Sequence, residues 1–251
     1  MPEICVIILN WNKAAETLRC LESLRQIQTD DVEIIVVDNG SNDDSAGLIR
    51  KSFEDVTCIE TGANLGYAEG NNVGIRHALA KGARFIFVLN NDTEIAPDTL
   101  DQLKEAALQF PQAAFLGPKI LCLENPAQIQ SAGITLDYFW RSHHRNAGQQ
   151  DCPSAAPPTL VDCISGAAIF IRAEALARIG LLDPSFFLYR EEIDWCLRAR
   201  RLGFQVLFVP EARVWHRSHE LREEDLPRIT YYMTRNSLLL IEKHRGGWIR
   251  L

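Results

Sequence analysis

Several familiar signatures are missing from this chain. No apolar run approaches the roughly 18–20 residues needed to span a bilayer. The start, Met1-Pro2-Glu3, lacks the basic segment of a secretory leader. No Gly-x-Gly-x-x-Gly follows the first apolar run, and Gly-x-x-x-x-Gly-Lys-Ser/Thr occurs nowhere, which counts against a dinucleotide oxidoreductase and a P-loop nucleotidase. Seven cysteines are present but no Cys-x-x-Cys, and no Cys/His zinc pattern. An odd count, with several thiols inside apolar runs, predicts buried reduced cysteines and a cytoplasmic protein. Positive charge is also short, with 26 Lys+Arg against 33 Asp+Glu and a net charge of −7. Such a balance excludes a nucleic-acid partner that depends on a basic surface.

What is present is a βα rhythm. Apolar runs at 4–9, 33–37, 56–60 and 84–89 read as strands, and 14–27, 44–53, 70–81 and 97–109 as helices. Strands apolar on both faces, separated by helices, predict an α/β fold with a buried, mainly parallel sheet. The rhythm breaks near Pro118. Residues 137–158 read as an excursion or mobile loop. Structure resumes as a strand at 167–172, helices at 173–179 and 191–202, a strand at 205–209 and a terminal helix at 230–244. One domain, 1–251, is expected, with halves 1–118 and 119–251.

Ligands of open α/β sheets bind beyond the carboxyl ends of the strands. Those ends carry Asn10-Trp11-Asn12, then Asp38, Asn39 and Ser41, then Asn90, Asn91 and Asp92. Each has an ordinary use in turns and caps. Their coincidence on one rim favours a shared site. The stretch 62–74 has glycines every four residues, which predicts a backbone approaching a ligand near Asn64 and Asn72. The acidic cluster Glu191, Glu192 and Asp194 follows the aromatic Phe186-Phe187-Leu188-Tyr189. Acids favour a helix N-terminus; a partly desolvated one suits general-base duty. His216, with His219 nearby, can join Asp92 in a divalent-metal site of oxygen and nitrogen donors. Arg235-Asn236 can pair with a phosphate.

In order, these motifs resemble a family-2 glycosyltransferase of the GT-A fold, of the bacterial rhamnosyltransferase-like branch. Val6 to Asn12 is similar to the opening strand, and Val36 to Ser41 to the nucleotide-binding turn. Asn64-Leu65-Gly66-Tyr67-Ala68 through Asn72 resembles the glycine-asparagine loop, and Leu89-Asn90-Asn91-Asp92 stands where Asp-x-Asp belongs. Ser165-Gly166-Ala167, the segment Phe187 to Asp194, His216 and Tyr232 to Asn236 complete the series. The resemblance covers nearly the whole chain. It implies a nucleotide-binding parallel sheet with a smaller, mixed acceptor-side region.

The resemblance also implies roles. Asp38 would recognise the donor base, helped by Asn10, Asn39, Asn64 and Asn72, with Asn91 and Arg235 also on the nucleotide-sugar. Asp92, with His216, would bind Mg²⁺ or Mn²⁺ at the donor diphosphate. A carboxylate among Glu191, Glu192 and Asp194 would deprotonate the acceptor hydroxyl, with inversion at the anomeric carbon. The partners implied are a nucleotide-diphosphate sugar and a glycan or lipid-linked acceptor. The chain departs from the pattern twice. Glu191-Glu192 replaces the usual Glu-Asp, which leaves Glu192 as the first candidate base and Asp194 as the second. Asn90 and Asn91 precede Asp92, so the metal motif has one acid. The alternative is a nucleotide-sugar or glycan binding module that has lost catalysis. A sugar nucleotidyltransferase is disfavoured, because 10–15 lacks that class's Gly-rich loop with Arg and Lys. Residues 229–251 carry four Lys/Arg against Glu242 beside several apolar side chains, which suits peripheral contact with the inner face of the cell membrane. No oligomeric state follows from the sequence.

Overall fold

The computed structural model describes residues 1–138, 140–152, 156–218 and 223–244. Its first half is built as the alternation predicts. β1 (Ile4–Asn10), β2 (Val32–Asp38), β3 (Thr57–Glu60) and β4 (Phe85–Asn90) are joined through α1 (Ala14–Leu24), α2 (Ser45–Ser52) and α3 (Gly66–Ala80). Then come β5 (Thr93–Ile95), α4 (Thr99–Gln109), β6 (Ala113–Cys122), β7 (Ile129–Ser131), β8 (Ile134–Leu136), β9 (Ser142–His144) and β10 (Thr159–Leu160). The chain continues as β11 (Ala168–Arg172), α5 (Leu176–Ile179), α6 (Glu191–Arg201), β12 (Gln205–His216) and α7 (Leu226–His244).

The main sheet runs β10-β12-β6-β11-β4-β1-β2-β3, with β5 paired to β12 and β7 to β6. β1 is parallel to β2 and β4, β2 to β3, and β6 to β12. β11 is antiparallel to both β4 and β6. The sheet is therefore mainly parallel. It continues through both predicted halves, and residue 118 falls inside β6. Alternation along the strands divides the core. Ile4, Val6 and Ile8 face one side with Phe85, Phe87 and residues of α1 and α4. Cys5 and Ile7 face the other with Ile86, Val88 and residues of α3, α5 and α6. None of the seven cysteines is in a disulfide.

Two expectations are corrected. The first concerns β6, a buried ten-residue strand that the sequence reading passes over. Gly117-Pro118 at its centre looks like a break. Pro118 is accommodated because β12 bulges opposite it, the register stepping from Val209↔Pro118 to Arg213↔Lys119. The second concerns the excursion at 137–158, part of which is ordered. β8 and β9 form a hairpin with Ile134 opposite His144.

The glycine spacing of 62–74 also has a different cause from the one predicted. α3 begins at Gly66, and Gly70 and Gly74 lie one and two turns further on. A Cβ on Gly70 would lie 2.6 Å from Leu9 Cδ1, and one on Gly74 would lie 2.5 Å from Ile7 Cγ2. The close approach is of helix to sheet, not of backbone to ligand. Gly74→Ala is expected to cost about 1–3 kcal/mol through overpacking, read as a lower denaturation midpoint.

Candidate active site

The carboxyl ends of β1, β2, β4, β6 and β12 share one rim with the amino end of β11. Asn90 N–H donates to the Ala167 carbonyl at 2.9 Å, which ties the β4 end to the start of β11. Beyond these strands lies a cavity of about 450 Å³. Tyr67, Asn90, Ser165 to Ala167, Glu191, Glu192 and His216 line one part of it, and Leu188, Ile229 and Met233 add an apolar part. β9 contributes Ser142 and His144. A larger cavity of about 670 Å³ lies at the opposite strand ends, near Arg84 and Arg172. The rim beyond the carboxyl ends is where this architecture binds ligands.

Glu191 and Glu192 open α6. Glu191 is almost fully buried, and its Oε2 has no hydrogen-bond partner. Glu192 is half-buried beside Gly166, where a Cβ would stand 3.8 Å from the glutamate's Cβ and Cγ. Burial pushes the Glu191 carboxyl well above the usual carboxylate range, and the Glu192 charge raises it further. Burial also raises Glu192, but backbone N–H groups and Arg190 partly offset it. In this coupled pair Glu192 gives up its proton first and Glu191 holds one longer. The Tyr67 hydroxyl donates to the Gly166 carbonyl at 2.6 Å. Its own acidity is suppressed by burial, then by Glu191, Glu192 and Asp92.

Asp194 does not belong to this group. It is fully buried on the far side of α6, away from the cavity. Its Oδ1 meets His244 Nε2 at 2.7 Å and Lys243 Nζ at 2.8 Å, while Oδ2 accepts from Arg198 Nε at 2.8 Å. Burial alone would raise its pKa. The hydrogen bond from His244, the charge of Arg198 and the bond from Lys243 outweigh that and hold it well below the carboxylate range. As a base, Asp194 is corrected to a structural counter-ion that joins α6 to α7.

The metal expectation fares differently. β5 pairs with β12 so that His216 lies opposite Thr93, which brings the imidazole beside Asp92. His216 Nε2 is 3.3 Å from Asp92 Oδ1. His216 Nδ1 is 2.7 Å from Gln130 Oε1. The amide oxygen accepts, so Nδ1–H is the donor in that pair and Nε2 is the ring nitrogen turned toward the carboxylate. An imidazole nitrogen and a carboxylate oxygen this close are a donor set that suits a divalent cation. Among the described residues no group of three His, Cys, Asp or Glu could hold a metal. His219 lies outside the described residues.

The predicted nucleotide-sugar residues divide. Asp38 accepts from Asn10 Nδ2 and Ser41 Oγ at 2.7 Å each, and from Ser41 N–H at 3.0 Å. Three of about four lone-pair positions are used, which leaves room for one ligand donor. Asn64 is exposed at the rim, and Asn91 is half-buried with its amide on Thr17 Oγ1. Asn10, Asn39 and Asn72 are corrected to internal brackets. Asn10 spends its donors on Asp38 and Ser41, and its carbonyl on Thr17. Asn39 bridges to Asn64, Leu65 and Gly66. Asn72 pairs with the backbone of Leu182 in both directions. Arg235 lies over the Tyr232 ring, 5.6 Å from its centroid, outside the cavity lining. Asn236 is fully buried and holds backbone carbonyls, so it is no phosphate ligand. Sequence reasoning missed Gln130. Its signal is the alternation of Gln128-Ile129-Gln130-Ser131, which marks a short strand.

A mainly parallel sheet, a paired aspartate and histidine on its rim, and two desolvated carboxyls facing a cavity are the arrangement expected of a GT-A glycosyltransferase. Solved structures agree on the fold. GalNAc-T7 with UDP, GalNAc and Mn²⁺ matches with a TM-score of 0.73 at 18% identity, over 86% of this chain and 43% of that one. The mannosyltransferase PcManGT from Pyrobaculum calidifontis, in complex with GDP-Man and Mn²⁺, matches with a TM-score of 0.69 at 18% identity, over 98% and 65%. In sequence, the chain is 27% identical to the N-acetylglucosaminyl-diphospho-decaprenol L-rhamnosyltransferase of Mycobacterium tuberculosis, over 97% of this chain and 85% of that one. It is 24% identical to the dTDP-rhamnosyl transferase RfbF of Shigella flexneri, over 96% and 80%. The family description "Glycosyl transferase family 2" matches residues 5–180, and the chain belongs to that family. Its activity is transfer of a sugar from a nucleotide-diphosphate donor, with inversion.

Proposed function

We propose that the chain is a metal-dependent rhamnosyltransferase-type enzyme that uses a pyrimidine nucleoside-diphosphate sugar and a lipid-linked glycan acceptor. One observation carries the reading: two desolvated carboxylates face the same cavity as His216, beside Asp92. The names of the rhamnosyltransferase relatives support the sugar and the acceptor class. The apolar cavity wall of Leu188, Ile229 and Met233 suits an acceptor with a hydrocarbon part.

In this reading Asp38 takes the donor base through its remaining acceptor position, with Asn64 and Asn91 at the rim. Asp92 and His216 would hold Mg²⁺ or Mn²⁺, which when bound supplies Lewis-acid neutralisation of the diphosphate. Glu192 removes the acceptor hydroxyl proton. The oxygen forms the glycosidic bond as the anomeric carbon–oxygen bond to the diphosphate breaks on the opposite face. Glu191, protonated, keeps a second negative charge away from the anionic donor. Retention of both desolvated acids favours catalysis over an inactive binding module. The proposed domain is the single span 1–251, with donor and acceptor halves on one sheet.

No described helix is long and apolar enough to cross a membrane. We assign the acceptor's membrane contact to α7, which exposes Leu226, Tyr231 and Leu238 beside Arg228. This would keep the enzyme peripheral at the cytoplasmic face. The predicted basic tail beyond His244 lies outside the described residues. A thermal-shift panel of UDP, dTDP and GDP, each with and without Mn²⁺, tests the donor reading. At about 100-fold over Kd, the matching diphosphate with Mn²⁺ is expected to raise Tm by about 5–10 °C. No shift with any pair would overturn it.

A further inference from the structure

The loop that delivers the two carboxylates is wound in a way its residues disfavour. Phe187, Tyr189 and Arg190 have φ of 62°, 68° and 73°. None is glycine, and left-handed backbone is costly for large side chains. Arg190 immediately precedes α6, so its backbone sets the direction in which Glu191 and Glu192 emerge. Strain of this kind persists only where the surroundings over-determine it.

Two clamps do so. At the start of α3, the N–H groups of Tyr67 and Ala68 donate to the Phe187 carbonyl at 2.6 and 3.3 Å. Gly66 permits that approach, since a Cβ there would stand 2.5 Å from Phe187 Cδ2. From α7, the fully buried Asn236 directs Nδ2 at three carbonyls: Phe186 at 2.9 Å, Leu188 at 2.7 Å and Tyr189 at 2.7 Å. An amide nitrogen has two hydrogens, so the three oxygens share them. Those carbonyls span the left-handed turn. Asn236 does not line the cavity.

We propose that Asn236 is a positioning residue: from α7 it holds the strained 186–190 turn closed and so aims Glu192 at the acceptor hydroxyl. The proposal rests on the reading of Glu192 as the base. It gives the terminal helix a catalytic purpose besides walling the cavity. A base displaced by about 1 Å loses on the order of 100-fold in rate. Donor binding is built on the ends of β1, β2 and β4, and the Asn236 amide nitrogen bonds only to carbonyls of the turn.

The test compares Asn236→Ala, Asn236→Ser and Glu192→Gln with wild type in steady-state transfer, alongside calorimetric binding of dTDP with Mn²⁺. Asn236→Ala is expected to lower kcat about 100-fold, with donor KM and the dTDP Kd within twofold of wild type. Asn236→Ser, which keeps one donor, is expected to recover part of the loss. A folded Asn236→Ala with kcat within threefold of wild type overturns the proposal. So does a loss of dTDP affinity that matches the loss of rate. If Asn236→Ala does not fold, Asn236→Ser decides: kcat within threefold overturns the proposal, and a fall of tenfold or more at unchanged KM supports it. Wild-type activity in Glu192→Gln would instead overturn the assignment of the base.

Discussion

Glu192→Gln is expected to reduce kcat by about 10²- to 10⁴-fold, the usual contribution of a positioned general base. The amide keeps the shape of the side chain but cannot take a proton. Donor KM is expected to stay near wild type, because the change acts only where the acceptor hydroxyl reacts. Glu191→Gln is expected to be milder, since Glu191 holds its proton more tightly than Glu192. Both substitutions are expected to raise the melting temperature at neutral pH. The sign follows from burial. A carboxyl whose folded pKa lies above its unfolded value favours the fold while protonated. That contribution disappears as pH rises from the ordinary carboxylate range through the raised value. A glutamine does not titrate, so the stability advantage of either variant grows across that window. Higher stability with lower turnover would mark a site that sacrifices stability for function. The same shift places the acid limb of the wild-type kcat/KM profile above the ordinary carboxylate range, with activity rising as Glu192 ionises.

Asp92→Ala is the second large effect. It removes the single acid of the metal motif and leaves His216 without its carboxylate neighbour, 3.3 Å away. The donor diphosphate then departs without neutralisation, at an expected loss of about 10²- to 10³-fold in kcat. Chelation of wild type is expected to give a comparable loss, reversed by Mn²⁺. In Asp92→Ala, added Mn²⁺ is expected to restore little. A variant whose rate and Mn²⁺ dependence match wild type would dismiss the metal assignment. The acidity of the rim explains why so much depends on this point. Glu191 and Glu192 line the cavity with Arg190 and His216, and Asp92 stands beside His216, where the proposed donor would bring further negative charge.

The first half of the fold was legible because its signals are local. β1, β2 and β4 are short apolar runs ending in Asn or Asp, and these ends lie where the rim forms. The second half was harder to read because tertiary context overrides local signal there. Gly117-Pro118 hides β6, and only a bulge in β12, between Val209 and Arg213, makes the proline harmless. Residue type also told more than residue role. Asn10, Asn39 and Asn72 carry the right chemistry for a ligand, but their amide donors are spent inside the protein, on strand ends, on loops and, for Asn72, also on Glu69 of its own helix. Glu192 and Asp194 are two positions apart on one helix. That spacing turns them about 200° apart, so one faces the cavity and the other a buried cluster of cations. The glycine stripe of α3 shows the same ambiguity: close approach was correctly predicted, but the sheet is the partner.

Acceptor-dependent turnover tests the central claim most directly. Wild type and Glu192→Gln would each be incubated with Mn²⁺, a dTDP-sugar and a diphospholipid-linked N-acetylglucosamine acceptor, and the product's anomeric configuration read by NMR. The expected result is dTDP release that requires acceptor, an inverted linkage, and loss of both in Glu192→Gln while dTDP–Mn²⁺ binding persists. A retained configuration, or full turnover in Glu192→Gln, would contradict it.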